Sequence, residues 1–138
     1  MILVSACLAG IPCRWNGEAR ADEAVVALVR AGKAIPVCPE QLGGLPTPRS
    51  PSEIRGGRVL SKEGLDLTER FERGARIVLE IGERYGCSEA ILKARSPSCG
   101  SGRVYDGSFS GSLAEGDGLT AALLRKRGYA IYSEEEAR

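Results

Sequence analysis

Histidine is missing from this chain altogether. That removes the usual general base near neutral pH and the usual nitrogen ligand for metals, so any catalysis must use carboxylates, hydroxyls, thiols or lysines. Asn16, Gln41 and Met1 are each the sole residue of their kind. Such scarcity of labile residues beside plentiful Arg and Glu is thermophile-like. Long apolar runs are lacking as well, and the opening MILVSACLAG has no basic region of a signal peptide, so a cytoplasmic protein is expected. Nor is there an excess of charge. Nineteen Lys and Arg against 18 Asp and Glu leave +1, too weak a field to draw in a membrane or, without a local basic patch, RNA. What the chain does have is five cysteines. An odd number in a cytosolic protein argues against a simple disulfide framework.

The 138 residues suffice for one domain, 1–138, with a real core. Ile2–Val4 reads as a first strand. Ala21–Ala31 places acids first and Val25, Val26, Leu28 and Val29 after them, then stops at Gly32, which predicts a capped amphipathic helix. Ala34–Val37 is a second strand ending at Cys38. Residues 39–65 are rich in Pro and Gly and too long for an ordinary connection, which marks a functional or disordered loop; RVLSKEG within it suggests a small hairpin. Phe71, Ala75, Val78, Leu79 and Gly82 recur at helical spacing, so a helix capped by Asp66 or Thr68 is expected to reach about Tyr85 and end at Gly86. Ala90–Leu92 is a third strand. VYDGSFSG looks like a hairpin turned at Asp106-Gly107. Asp117 is placed to cap a last helix, Leu119–Arg127, before a fourth strand at Tyr129–Tyr132 and a solvated tail, SEEEAR. This order implies an α/β, Rossmann-like open sheet, mostly parallel, with flanking helices and a small β-hairpin insertion; the expected strand order is 2-1-3-4.

In such a sheet, ligands bind beyond the carboxyl ends of the strands. Cys7 closes strand one, Cys38 closes strand two, and Cys99 follows strand three. Cys13, in CLAGIPCRWNG, can reach the same rim, whereas Cys87 lies at the opposite edge. Any one of these alone would read as a small buried hydrophobe; three at equivalent strand ends point to a thiol centre. Three chemistries fit it. One is a closed zinc site on Cys7, Cys13, Cys38 and Cys99, although paired C-x-x-C knuckles are missing. Another is a redox pair, with Cys7 and Cys13 the near pair. The third is an iron–sulfur cluster on thiolates spread around a cavity. Composition does not choose among them.

The stretches SACLAGIPCRWNG, VCPE with GGLPTPRSPSE, LKARSPSCGSGRVYDGSFSG and GDGLTAALL resemble, in this order, the TudS-like thiouracil and thiouridine desulfidases, formerly domain of unknown function 523. The likeness runs from Ser5 to Ser133. It implies an enzyme holding a [4Fe-4S] cluster on Cys7, Cys38 and Cys99 with one open iron. That iron captures the sulfur of a 2-thiouracil- or 4-thiouridine-type base, which water then converts to the oxo base without net redox change. It also implies that Glu40, from C-P-E, and Ser96, first in S-P-S-C, are catalytic. Cys13, Arg49 and Ser98 fall among substrate-binding or supporting residues, Cys13 being either a supporting thiol or an alternative ligand. One departure is Trp15, where the family more often has Tyr. Relatives that act on transfer RNA carry a further C-terminal domain, so a free thiolated base or nucleoside is the expected partner here.

On this reading Glu40 deprotonates water or moves a proton to the leaving group, and Ser96 orients base or water; a turn-capping role is the simpler alternative for Ser96. Lys93 and Arg95 either meet substrate, or offset cluster charge, or are solvated. Gly100 and Gly102 are expected to give N–H groups to the cluster, and the last helix to aim its N-terminus at the same rim.

Overall fold

The computed structural model describes residues 1–137. Its centre is β1 (Ile2–Ser5), where Leu3 and Val4 are both fully covered and belong to different core clusters. Successive strand residues face opposite sides, so a strand buried on both faces needs an unbroken apolar run, as here. Beside β1 lie β2 (Ala34–Val37) and β5 (Glu89–Leu92), and β8 (Ala130–Ser133) pairs with β5. All three pairings are parallel, giving the order β2-β1-β5-β8. Both the α/β class and the strand order expected from sequence are what the chain adopts.

Helix α1 (Glu23–Arg30) covers one face, with Val25 packed beneath it. Asp22 caps it by accepting from the N–H groups of Ala24 and Val25 at 3.1 and 3.3 Å. On the other face lie α3 (Thr68–Arg84) and α4 (Leu119–Lys126), which bury Val78, Leu79, Ala121 and Leu124 against Leu3, Leu92 and Ile131. Leu67 is the residue that precedes α3, and Asp66 supports the start by accepting from Thr68 N at 3.0 Å.

The 39–65 segment is ordered. Pro39–Leu42 forms a one-turn helix, α2, with Cys38 at its N-cap. Gly74 lets α3 approach it: a Cβ there would sit 1.9 Å from the Pro39 carbonyl oxygen. Next comes an antiparallel hairpin, β3 (Ser52–Arg55) with β4 (Arg58–Ser61), turned at Gly56-Gly57. A hairpin is therefore present, with RVLS as its second strand rather than the whole of it.

Two other expectations need correction. The second hairpin pairs β6 (Arg103–Tyr105) with β7 (Leu113–Glu115). Asp106-Gly107 does not turn it, because Asp106 N bonds to Ser112 O and residues 106–112 form a longer loop. At the C-terminus, Ser133 and Glu134 are buried, so the solvated part of the tail begins only at Glu135. Glu134 accepts from Ala94 N at 2.8 Å and pairs with Lys93 at 2.8 Å, which pins the tail to the segment after β5; Arg138 lies outside the described residues. No helix among those described is long and apolar enough to cross a membrane.

Candidate active site

The carboxyl ends of β1, β2 and β5 open onto a cavity of about 500 Å³ lined by Cys7, Cys13, Cys38 and Cys99, together with Glu40, Arg49, Ser96 and Ser98. Every one of the eight residues that the sequence singled out is on this wall. Cys87 is not, and packs against the α3 and α4 side of the core.

Each thiol arrives by a local rule of the fold. Cys7 lies in the 3₁₀ turn Ala6–Ala9 directly after β1. Cys38 ends β2 as the residue entering α2. Cys99 follows β5 in a loop held by α4, whose first N–H groups bond to carbonyls of that loop: Leu119 to Pro97 at 2.9 Å, Thr120 to Ser98 at 2.9 Å. The N-terminus of α4 is thus spent on the loop and does not face the cavity. Its capping residue is Gly118, since Asp117 instead accepts from Gly102 N at 2.8 Å and pairs with Arg125. Gly100 N likewise bonds to Ser96 O at 2.9 Å, so neither Gly100 nor Gly102 keeps an N–H for a cluster.

The thiols differ in acidity for physical reasons. Cys13 is buried within hydrogen-bond reach of both Cys7 and Cys38; these bonds push its own thiol far up and bring both neighbours down. Cys38 is lowered to about 7, by Cys13 first and also by the Gln41 N–H. For Cys7 the Cys13 bond outweighs burial, with Lys93 adding its charge. Cys99 is pushed up to about 12 by burial, against the hydroxyls of Ser5 and Ser98. As a thiol, Cys38 donates to the Cys13 carbonyl at 3.8 Å.

The cavity's acid–base groups form one chain. Arg49 Nε donates to Glu40 Oε1 at 2.9 Å, with the two side chains only 7% and 14% exposed. The rest of the guanidinium donates to Pro46 O, Thr47 Oγ1 and Cys13 O at 2.9–3.1 Å, joining three segments. Glu40 Oε2 accepts from Ser98 Oγ at 2.8 Å. Ser98 Oγ in turn lies 3.2 Å from Ser96 Oγ. Ser96 accepts from Cys99 N at 2.7 Å and Ser98 N at 3.2 Å. The capping role is therefore real, and it leaves the Ser96 hydroxyl hydrogen for Ser98 or a ligand. Both cations in question line the cavity, Lys93 in an ion pair with Glu134 only 15% and 11% exposed, Arg95 in a more open pair with Glu135.

Sequence reading did not single out Glu53, Tyr105 or Phe109, which also line the cavity. Their places depend on the two hairpins folding over the rim, which no local pattern announces.

Among the described residues no group of three or more His, Cys, Asp and Glu side chains is placed to hold a single metal ion. The four thiols weighed for a closed zinc site, Cys7, Cys13, Cys38 and Cys99, all line the cavity but are not gathered around one point. All five cysteines are free. A polynuclear cluster asks for something else: soft thiolates set apart on separate loops around a shared cavity. Cys7, Cys38 and Cys99 meet that demand, on three chain segments facing one space.

A parallel α/β sheet with free thiols gathered at its strand ends and a carboxylate among them has the architecture of a thiol-lined active site. The family is settled by comparison: the 2-thiouracil desulfurase family matches residues 2–136, and the chain belongs to it. A Bacillus subtilis (strain 168) protein, YbbK, is 47% identical over 146 residues, covering 99% of this chain and 97% of its own. A solved structure, of the [4Fe-4S]-dependent thiouracil desulfidase TudS, is 46% identical with a TM-score of 0.92, covering 97% of this chain and 90% of the other.

Proposed function

We propose that this protein is a [4Fe-4S]-dependent desulfidase that converts a thiolated uracil-type base to its oxo form, releasing sulfide. The observation that carries the reading is the arrival of Cys7, Cys38 and Cys99, from three strand ends, on the same cavity as Glu40. Family membership and the likeness to a thiouracil desulfidase support it.

Cys7, Cys38 and Cys99 would hold the cluster. When bound, it supplies a Lewis-acidic iron with an affinity for sulfur. The overall change is balanced without electrons: a C=S group and water give C=O and hydrogen sulfide. Neutral water attacks a thiocarbonyl carbon poorly, so a base is needed. Glu40 fills that role, its carboxylate fixed by Arg49 on one oxygen and Ser98 on the other. General acid–base help of this kind is worth about 10²–10⁴-fold. Ser98 and Ser96 extend the carboxylate's reach along two hydroxyls, so a proton taken from water can return to the departing sulfur. Cys13 supports rather than ligates: its carbonyl accepts from Cys38 Sγ at 3.8 Å and from Arg49 Nη2 at 2.9 Å, tying one proposed ligand to the Arg49–Glu40 pair. The expected substrate is a small thiolated base or nucleoside.

The test is anaerobic incubation of reconstituted protein with 2-thiouracil and with 4-thiouridine, without added reductant. Sulfide and the oxo product in equal amounts are expected from at least one. No sulfide from either, with iron and sulfur bound at full stoichiometry, would reject the substrate class.

A further inference from the structure

The chain has few aromatic residues, two Phe, one Trp and four Tyr, yet Trp15, Tyr105 and Phe109 all line the cavity. Most of the remaining wall is charged or small. Phe109 is held there in a way that its own backbone preference opposes. Its φ is +55°, in the left-handed region that a bulky L-residue rarely adopts. Two contacts impose it. Glu53, on β3 and only 9% exposed, accepts from Gly107 N at 3.0 Å and Phe109 N at 3.1 Å through the same oxygen, Oε1. Gly107 (φ +92°) presses on β3 so closely that a Cβ would lie 2.7 Å from Arg55 Cβ and 2.8 Å from Ile54 O. One hairpin therefore clamps the loop of the other, and the clamp presents an aromatic ring to the substrate cavity.

We infer that Phe109 is a substrate-binding residue whose ring forms the apolar face against which a flat pyrimidine seats, and that Glu53 is the positioning residue that holds it there. This rests on the desulfidase reading for the identity of the ligand as a pyrimidine. Stacking of a base on an aromatic ring is tolerant of ring substituents, so the contact selects planar heterocycles without choosing among them. Glu53 acts only through hydrogen-bond acceptance from two N–H groups, a task an amide oxygen performs equally well.

The test uses the cluster-loaded protein and the variants Phe109→Ala, Phe109→Tyr, Glu53→Ala and Glu53→Gln. Two quantities are read: KM and kcat for 2-thiouracil, and Kd for uracil by equilibrium dialysis. Phe109→Ala is expected to raise KM and Kd about 5- to 100-fold while kcat stays within about threefold of wild type. Glu53→Ala should reproduce that pattern, and Phe109→Tyr and Glu53→Gln should restore near-wild-type binding. An unchanged KM and Kd in Phe109→Ala, or Glu53→Gln as impaired as Glu53→Ala, would overturn the inference. A wild-type protein that releases no sulfide counts against the desulfidase reading alone, because uracil dialysis still decides the role of Phe109.

Discussion

Glu40 and Arg49 are an almost buried ion pair, and the two partners carry different burdens. Glu40 is bonded on both oxygens at 2.9 and 2.8 Å. Replacing it by Gln keeps the volume and a carbonyl acceptor for Arg49 but removes the carboxylate proposed to act as base. Glu40→Gln is expected to retain iron and sulfide while kcat drops about 10²–10⁴-fold; parallel iron analysis and steady-state assay check this, and an unchanged rate would remove Glu40 from the chemistry. Arg49 also ties down Pro46, Thr47 and Cys13. Arg49→Ala strands the Glu40 charge and should cost about 3–5 kcal/mol of stability, read as a fall in the urea midpoint. Ser98→Ala removes one charge-assisted bond to Glu40 and is expected to slow turnover on the order of 10- to 100-fold with the cluster intact. At this scale much was legible in the sequence. C-P-E and S-P-S-C already marked Glu40, Ser96 and Cys99 as candidates through the family resemblance, and all three line the cavity. The partners of those residues were not legible. Nothing local in RSPSE or DGSFSG says that Glu53 will accept from the backbone of Phe109 across the cavity.

Elements rather than single side chains decide where Cys38 and Glu40 stand. Both belong to the one-turn helix α2 or its cap, too short to be stable alone, and α2 is held against α3 by a contact that only glycine permits. Gly74→Ala would drive a methyl into the Pro39 carbonyl. It is expected to cost about 1–3 kcal/mol, measured by thermal unfolding, and to lower cluster occupancy more than changes of equal stability cost on the exposed face of α3, since it displaces the turn that bears Cys38. The start of α3 has its own pH signature. Asp66 is lowered to about 2, first by the Thr68 hydroxyl and backbone N–H and then by Arg58. A depressed carboxylate contributes stability above its unfolded range near 4 and loses it as pH falls toward the folded value. The stability difference between wild type and Asp66→Ala should therefore shrink between pH 4 and pH 2; a constant difference would show that Asp66 acts without its charge. The regular elements were readable because their signals are local: β-branched runs for strands, 3.6-residue spacing for α3, Asp22 and Gly32 around α1. The hairpin of VYDGSFSG was misplaced for the complementary reason. Asp-Gly is a strong local turn signal, but the pairing of Arg103–Tyr105 with Leu113–Glu115 is fixed by contacts beyond it, among them Gly116 N to Gly102 O at 3.1 Å. The start of the tail was misjudged likewise, as Ser133 lies in β8 and Glu134 pairs with Lys93, a residue distant in sequence.

Across the whole molecule, a parallel sheet does what no single motif does: it gathers residues 7, 38 and 99 at one rim because every strand that precedes them runs the same way. The order β2-β1-β5-β8 makes β1 central and sets the Cys7 turn between the segments bearing Cys38 and Cys99. Cys87 enters β5 from the opposite end and is left among core residues, where burial raises its thiol. The same topology that gathers Cys7, Cys38 and Cys99 at the rim leaves Cys87 apart from them. The most direct measurement is iron and acid-labile sulfide per chain after anaerobic reconstitution of the wild type and of four variants: Cys7→Ala, Cys38→Ala, Cys99→Ala and Cys87→Ala. Wild type and Cys87→Ala are predicted to hold the four irons that a [4Fe-4S] centre requires, and each of the other three to lose most of them. Full occupancy in any of those three, or loss in Cys87→Ala with its fold intact, would contradict the account.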